Sequence, residues 1–440
     1  MKKYDNYKDS GLEWIGEIPE HWSITKIKNI SELFGRIGFR GYTVEDIVEK
    51  GQGAISLSPS NIFEQKLILD KGTYISWEKY NESPEIQIYN NDVILVKTAS
   101  VGKVGFIENL NEPATLNPQL VVFKNVKLDN KYLYYLLISE VIQTQIKSDL
   151  VGGVVPTISQ SIIKNYYIPI CKIEEQTAIA NYLDRKTTQI DTLITKKEQF
   201  ISLLQEERTA VINQAVTKGL DPKVKMKDSG IEWLGEIPEH WEVKKLKFVS
   251  KITRGAILRP VDEPSYFDDN GEWTYLNISD ATICDKYLDY GKLRLSELGS
   301  TKSARVEPNN LIITASATIG KPFINKIPVC VHDGFIPITE LKVNIDFLYN
   351  YFKNPQLFNG LGKSNTQKNI YLEDVKNLII PIPNLEEQLL IARYIEEEII
   401  RIETLISKSL QEIELLKEYK TALISEVVTG KVDVRDVVLN

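Results

Sequence analysis

A chain of 440 residues with 42% hydrophobic and 26% charged side chains is too long for one core and has the composition of a soluble protein of two to three domains. A net charge of −7 argues against a protein that grips a polyanion unaided. No apolar run approaches the roughly 18 residues that span a bilayer, the start MKKYDNYKDSGLEW has no apolar signal segment, and Cys171, Cys284 and Cys330 lie far apart without a CxxC pair, as in a reducing cytoplasm.

The first distinctive block is KDSGLEWIGEIPEHW at 8–22. Short β-rich runs follow (ISLSPSNIF, YISWEKY, VILVKTA, LVVFKNV), then helical KYLYYLLISEVIQTQI. Branched and aromatic runs bounded by Gly, Pro and Asn predict strands and turns, so this filling is expected to be an α+β domain. Within it, NDVILVKTASVGKVGFI at 91–107 reads as strand, turn and strand. NYYIPICKIEEQTAIANYLD at 165–184 leads into a helix. Apolar spacing alternates four and three at Ile190, Ile194, Lys197, Ile201, Leu204, Arg208, Val211 and Ala215. Such heptads predict a coiled-coil seam on a helix of about 32 residues, roughly 48 Å long. Gly219 and Pro222 mark its end.

The chain then repeats itself. KDSGIEWLGEIPEHW at 227–241 matches the first block at 13 of 15 positions. β-rich runs return in WTYLNIS, LIITASA and FIPITEL, and NNLIITASATIGKPFI matches the strand–turn–strand. NLIIPIPNLEEQLLIARYIE at 377–396 opens a second helix, with seam positions Ile402, Ile406, Ser409, Ile413, Leu416, Lys420, Leu423 and Val427 before Gly430. The offset between copies falls from 219 to 212, so the second filling is about seven residues shorter. Drift after duplication would blur all parts evenly, whereas identity here is concentrated in three blocks. Like frames around unlike fillings imply one job done twice with different particulars. Joining VVTGKVDVRDVVLN to MKKYDNYKDSG would recreate the central linker, which predicts a pseudo-twofold arrangement with antiparallel helices. The alternative is that each helix packs on its own domain, with Lys197, Arg208 and Lys420 snorkelling at the surface.

Catalytic signatures are missing. SVGKVG and TIGKPF lack the earlier glycine and the following Ser or Thr of a phosphate loop, and no GxGxxG follows a strand. His21 and His240 recur in EHW and read as structural residues of a turn, while His332 stands alone. Glu174/Glu175 and Glu386/Glu387 sit at helix starts, where they complement the dipole. Trp14 and Trp233 are equally readable as partner-binding or core residues. No catalytic or metal site is expected. Charge is uneven: residues 23–164 hold 15 Lys+Arg against 15 Asp+Glu, residues 242–376 hold 18 against 16, and residues 384–430 hold 5 against 10.

The motifs SGxEWxGEIPxHW, the turn ending in GK, and IPxxxxEEQxxIAxYxD/E leading into a long helix make the chain resemble the specificity subunits of Type I restriction–modification systems. The resemblance runs twice in order over nearly the whole chain. It implies a non-catalytic, cytoplasmic, prokaryotic subunit with two α/β target-recognition domains, 1–170 and 223–382, joined by two long antiparallel coiled-coil helical regions, 171–222 and 383–440. It implies double-stranded DNA with a bipartite, asymmetric site as ligand, and two methyltransferase subunits and restriction subunits as partners. S-adenosylmethionine, ATP and magnesium would then belong to those partners. Groove readout needs Arg, Lys, Asn, Gln, Ser or Thr, so the candidates are Arg36, Arg40, Lys97, Thr98, Ser100 and Lys103 in the first filling. Arg254, Arg259, Ser316, Thr318, Lys321 and Lys368 are those in the second. A stand-alone DNA-binding protein, or a coiled-coil adaptor of the same ancestry, is the competing reading.

Overall fold

In the computed structural model, residues 2–36, 41–63, 66–69, 72–150, 155–261, 263–316, 319–358 and 370–436 are described. The chain forms two compact units, Met1–Lys197 with Leu410–Asn440, and Glu198–Ser409. Their limits cross the long helices, because each unit contains a stretch of both.

In the first unit, one sheet runs Val104–Phe106, Val93–Val96, Leu120–Lys124, Glu32–Phe34, all antiparallel. A second runs Ala114–Leu116, Gly53–Leu57, Thr73–Ser76, Ile47–Val48, its first pair parallel. VILV has no polar alternation because its sheet is covered on both faces. Val93 and Leu95 pack with Tyr132 and Leu136 of helix Asn130–Ile138, while Ile94 and Val96 face Ile55 and Leu57 of the second sheet.

The second unit repeats this plan with different residues. Pro322–Asn325, Leu311–Thr314, Phe335–Thr339 and Lys251–Ile252 lie in the matching order, with Tyr287–Leu288 added at one edge. Leu293–Leu295, Trp273–Leu276, Val329–Val331 and Ala304–Val306 make the other sheet, again with one parallel pair. Leu311 and Ile313 pack with Phe347 and Tyr351 of helix Ile345–Phe352, while Ile312 faces Leu276 and Val329. The unlike fillings share the four-strand antiparallel order and the parallel pair, but differ at the second sheet's last strand: Ile47–Val48 lies beside Thr73–Ser76 in the first unit, and Ala304–Val306 beside Val329–Val331 in the second.

The long helices span Ile173–Lys218 and Leu385–Val428, 46 and 44 residues, or about 69 and 66 Å. They exceed the expected 32 because each starts at its EEQ block and first packs on a globular core. Ile179 and Leu183 are buried in the first unit, Ile391 and Ile395 in the second. Only afterwards does the seam spacing take over.

Candidate nucleic-acid interface and helical seam

The repeated blocks meet in a hub. Glu175, second residue of its EEQ, is buried and accepts from Trp22 Nε1 (3.1 Å) and Tyr4 Oη (2.6 Å), with His21 Nε2 2.9 Å away. In the second unit Glu387 accepts from Trp241 Nε1 (3.0 Å), with His240 Nε2 at 2.9 Å. The adjacent glutamine holds the next element: Gln176 Oε1 accepts from Asp129 N, and Gln388 Oε1 from Asn344 N. Asp129 and Asn344 are the N-caps of the sheet-covering helices. Thus EHW and EEQ are retained together because they bind each other and align sheet, covering helix and long helix. Burial, then the hydrogen bond to Glu175, raises the Tyr4 phenol pKa well above its ordinary value. The two histidines and both carboxylates are framework groups here. The dipole argument had placed the glutamates at helix starts but missed their role as acceptors, for which the joint recurrence of EHW and EEQ was the signal.

Along the seam, Ile190, Leu204, Ile402, Ile413 and Leu423 are buried, while Ile194, Ile201, Val211, Ile406 and Leu416 are half-buried. Within the first unit Asp191 pairs with Lys420 (2.6 Å) and Lys197 with Glu412. Numbers rise on one helix as they fall on the other, so the stretches run antiparallel. Within the second unit Arg208 lies 3.6 Å from Glu403, and Gly219 lies beside Glu387, the same sense. Adding 212 to Asp191 and subtracting it from Lys420 gives Glu403 and Arg208: the polar exceptions Arg208 and Lys420 belong to two copies of one ion pair. Lys197, Arg208 and Lys420 therefore face acids across the seam.

The GK turns also repeat. Val96 N donates to Lys103 O and Gly102 N to Val96 O. Thr314 N donates to Lys321 O and Gly320 N to Thr314 O. Gly102 and Gly320 have φ of +91° and +74°, a region that suits glycine. Thr98, Ser100 and Lys103 sit together on the first turn, Ser100 and Lys103 exposed, with Thr98 Oγ1 3.1 Å from Thr157 Oγ1. Lys97 lies at its base, half-buried, its pKa lowered by that burial.

Arg36 is not presented to a groove. It is buried, and its Nε donates to Leu116 O (2.9 Å) and its Nη2 to Thr115 Oγ1 (3.2 Å). In the second unit Ser316 is half-buried at the turn, and Arg254 and Arg259 are exposed, Arg254 lying 3.8 Å from Asp333. Lys321 Nζ is turned inward, onto Thr282 O (2.8 Å) and Cys284 O (2.6 Å). Arg40, Thr318 and Lys368 lie outside the described residues. Trp14 is exposed over a cavity of about 480 Å³, lined also by Asp149 and Tyr166, whereas Trp233 is half-buried against Tyr351. His332 Nδ1 accepts from Gly334 N (2.9 Å) and its ring packs on Phe335, so it too is structural. Among the described residues no helix is long and apolar enough to cross a membrane, and none form a cluster of three potential metal ligands.

The model of the Type I restriction modification DNA specificity domain matches residues 19–202 and 238–415, once in each repeat. The chain is 26% identical over 447 residues to the putative type I restriction enzyme MjaX specificity subunit of Methanocaldococcus jannaschii, covering 98% of each. It is 25% identical over 312 residues to the type I restriction enzyme EcoBI specificity subunit of Escherichia coli, covering 65% of this chain and 63% of that one. Its fold is similar to that of the HsdS subunit from Thermoanaerobacter tengcongensis, with a TM-score of 0.60 at 16% identity over 94% of this chain and 98% of that one. A chain from a structural study of complex assembly and conformational transition in the type I R-M system gives a TM-score of 0.68 at 15% identity, covering 94% and 99%. With both repeats matched, this chain belongs to the Type I restriction–modification DNA specificity family, the non-catalytic DNA-recognition subunits of those systems.

Proposed function

We propose that the chain reads a bipartite, asymmetric DNA site, one half with each filling, while the paired long helices set the spacer and dock two methyltransferase subunits. Restriction subunits join that complex, which acts in the prokaryotic cytoplasm. S-adenosylmethionine, ATP and magnesium are held by those partner subunits, and this chain contributes position. One observation carries the reading: two units built on the same hub and the same turn, around fillings of similar strand order and unlike sequence. A repeated frame with changed contents is what reading two different half-sites requires. The near balance of charge in each filling agrees with it, if the methyltransferase subunits supply most phosphate contacts and the fillings supply base contacts.

The test is an exchange of residues 23–164 for the corresponding filling of another family member, followed by mapping of methylated sites. One half of the methylated sequence should change and the other should stay. A change in both halves, or in neither, would overturn the modular reading.

A further inference from the structure

Each unit exposes a large apolar side chain in the connection that follows its strand of the parallel pair, by different local means. In the first unit strand Gly53–Leu57 enters a 3-10 turn, Pro59–Asn61, capped by Ser58, and then strand Ile62–Phe63. Ile62 is buried, and a Cβ built on Gly105, two residues past Lys103, would lie 3.4 Å from Ile62 Cδ1. Successive strand residues point to opposite faces, so Phe63 turns outward and is 60% exposed. In the second unit the equivalent strand, Trp273–Leu276, enters helix Ile278–Ile283, capped by Asn277 and Asp280. Its last residue, Ile283, is 86% exposed. The two carbonyls that receive Lys321 Nζ, those of Thr282 and Cys284, stand on either side of Ile283.

A lone exposed isoleucine would mean nothing. Here both units place an apolar tip in the connection that leaves the strand of the parallel pair, anchored through Ile62 against the strand after the GK turn in the first unit and by Lys321 of the turn itself in the second. The tips also differ, as parts that tell one half-site from another must. The GK lysines are the same residue in both units and cannot supply that difference. Lys321, moreover, is occupied with carbonyls.

We propose that Phe63 and Ile283 are specificity-determining residues, one per unit, that meet the 5-methyl group of a thymine in the major groove. Only thymine carries an apolar group there, while cytosine presents an amino donor. Lys321 is a positioning residue for Ile283. The inference rests on the DNA-reading function above.

The experiment uses the full chain co-expressed with its methyltransferase subunit in a host lacking other methylation, with methylated sites mapped by single-molecule sequencing. Ile283→Ala should lower discrimination at one position of the second half-site about tenfold and leave the first half-site unchanged, and Phe63→Ala should do the converse. Ile283→Asn should shift the preferred base, and Lys321→Met should relax the same position as Ile283→Ala, which a merely structural lysine would not do. An unaltered motif in Ile283→Ala and Ile283→Asn overturns the inference. So does a general fall in methylation with the motif intact, which would mark the tips as protein contacts. A wild-type complex that leaves no bipartite motif removes the DNA-reading function and this inference together.

Discussion

Replacing Glu175 by leucine isolates the hub of the first unit. The carboxylate accepts from Trp22, which is fully buried, and from Tyr4, which is nearly so. Leucine fills the space but leaves an indole N–H and a phenol O–H without an acceptor, each at about 1–3 kcal/mol. His21, whose side chain is partly exposed, can turn to water. Allowing for local rearrangement, the expected loss is about 3 kcal/mol. Glu387→Leu is the internal control. Glu387 is more exposed than Glu175, 23% against 7% for the side chains, and Lys223 stands where the first repeat has Tyr4. One indole donor is orphaned there, so the loss should be about 1–2 kcal/mol. Two units need not melt together, so a single denaturation midpoint is a poor readout. Amide hydrogen exchange of peptides covering 15–30 and 234–249 reports each hub locally. Glu175→Gln, which keeps one acceptor oxygen, should fall between wild type and leucine. Equal losses in the two leucine variants, or a loss below about 1 kcal/mol for Glu175→Leu, would refute the hub as drawn.

Near the C-terminus, hydrogen bonds from Arg435 hold the Asp433 carboxyl below the usual carboxylate range. A pKa depressed on folding stabilises fully above the unfolded value, about 3.9, and the gain disappears as pH falls through the folded one. Asp433→Asn should therefore lower stability at pH 7 and flatten the acid limb of a pH–stability curve for the first unit; an unchanged limb contradicts the assignment. At the seam, Lys420→Met should cost less than about 1 kcal/mol because the pair is partly exposed. Lys420→Glu should cost more by facing Asp191, and adding Asp191→Lys should restore the loss in a double-mutant cycle; additive losses would show that the pair is uncoupled. On the first turn, Lys103→Ala should weaken DNA binding of the assembled complex alike on all sequences and reduce the salt slope by about 1. A sequence-dependent loss would make Lys103 a base reader instead.

The frames were legible in the sequence because both partners of each contact are encoded in the chain, and encoded twice. EHW and EEQ lie about 150 residues apart, yet their joint recurrence already said that they belong together. The heptad spacing likewise named residues that turn out buried or half-buried, and even the polar exceptions at Arg208 and Lys420 recur because each has an acid opposite. The length of the helices was underestimated because their first turns pack on globular cores with a different spacing, as Ile179 and Leu183 do. VILV and LIIT gave strands but not layers: a sheet covered on both faces loses the alternation that would have said which residue faces which way.

The reading surface was far less legible, and Arg36 and Lys321 show the physical reason. Both have the chemistry that a base edge or phosphate calls for, and both are claimed by backbone carbonyls of their own unit. A donor of the right type is a reader only if the fold leaves it nothing else to bind, and that depends on which strand end or helix end lies beside it. Sequence spacing along one element does not report such a neighbour. Lys321 illustrates the converse as well. A lysine that caps carbonyls on both sides of Ile283 acts on recognition through a residue of a type that a search for donors passes over. Position, set by the shared frame, decides which side chains of each filling can meet DNA, and composition only supplies the candidates.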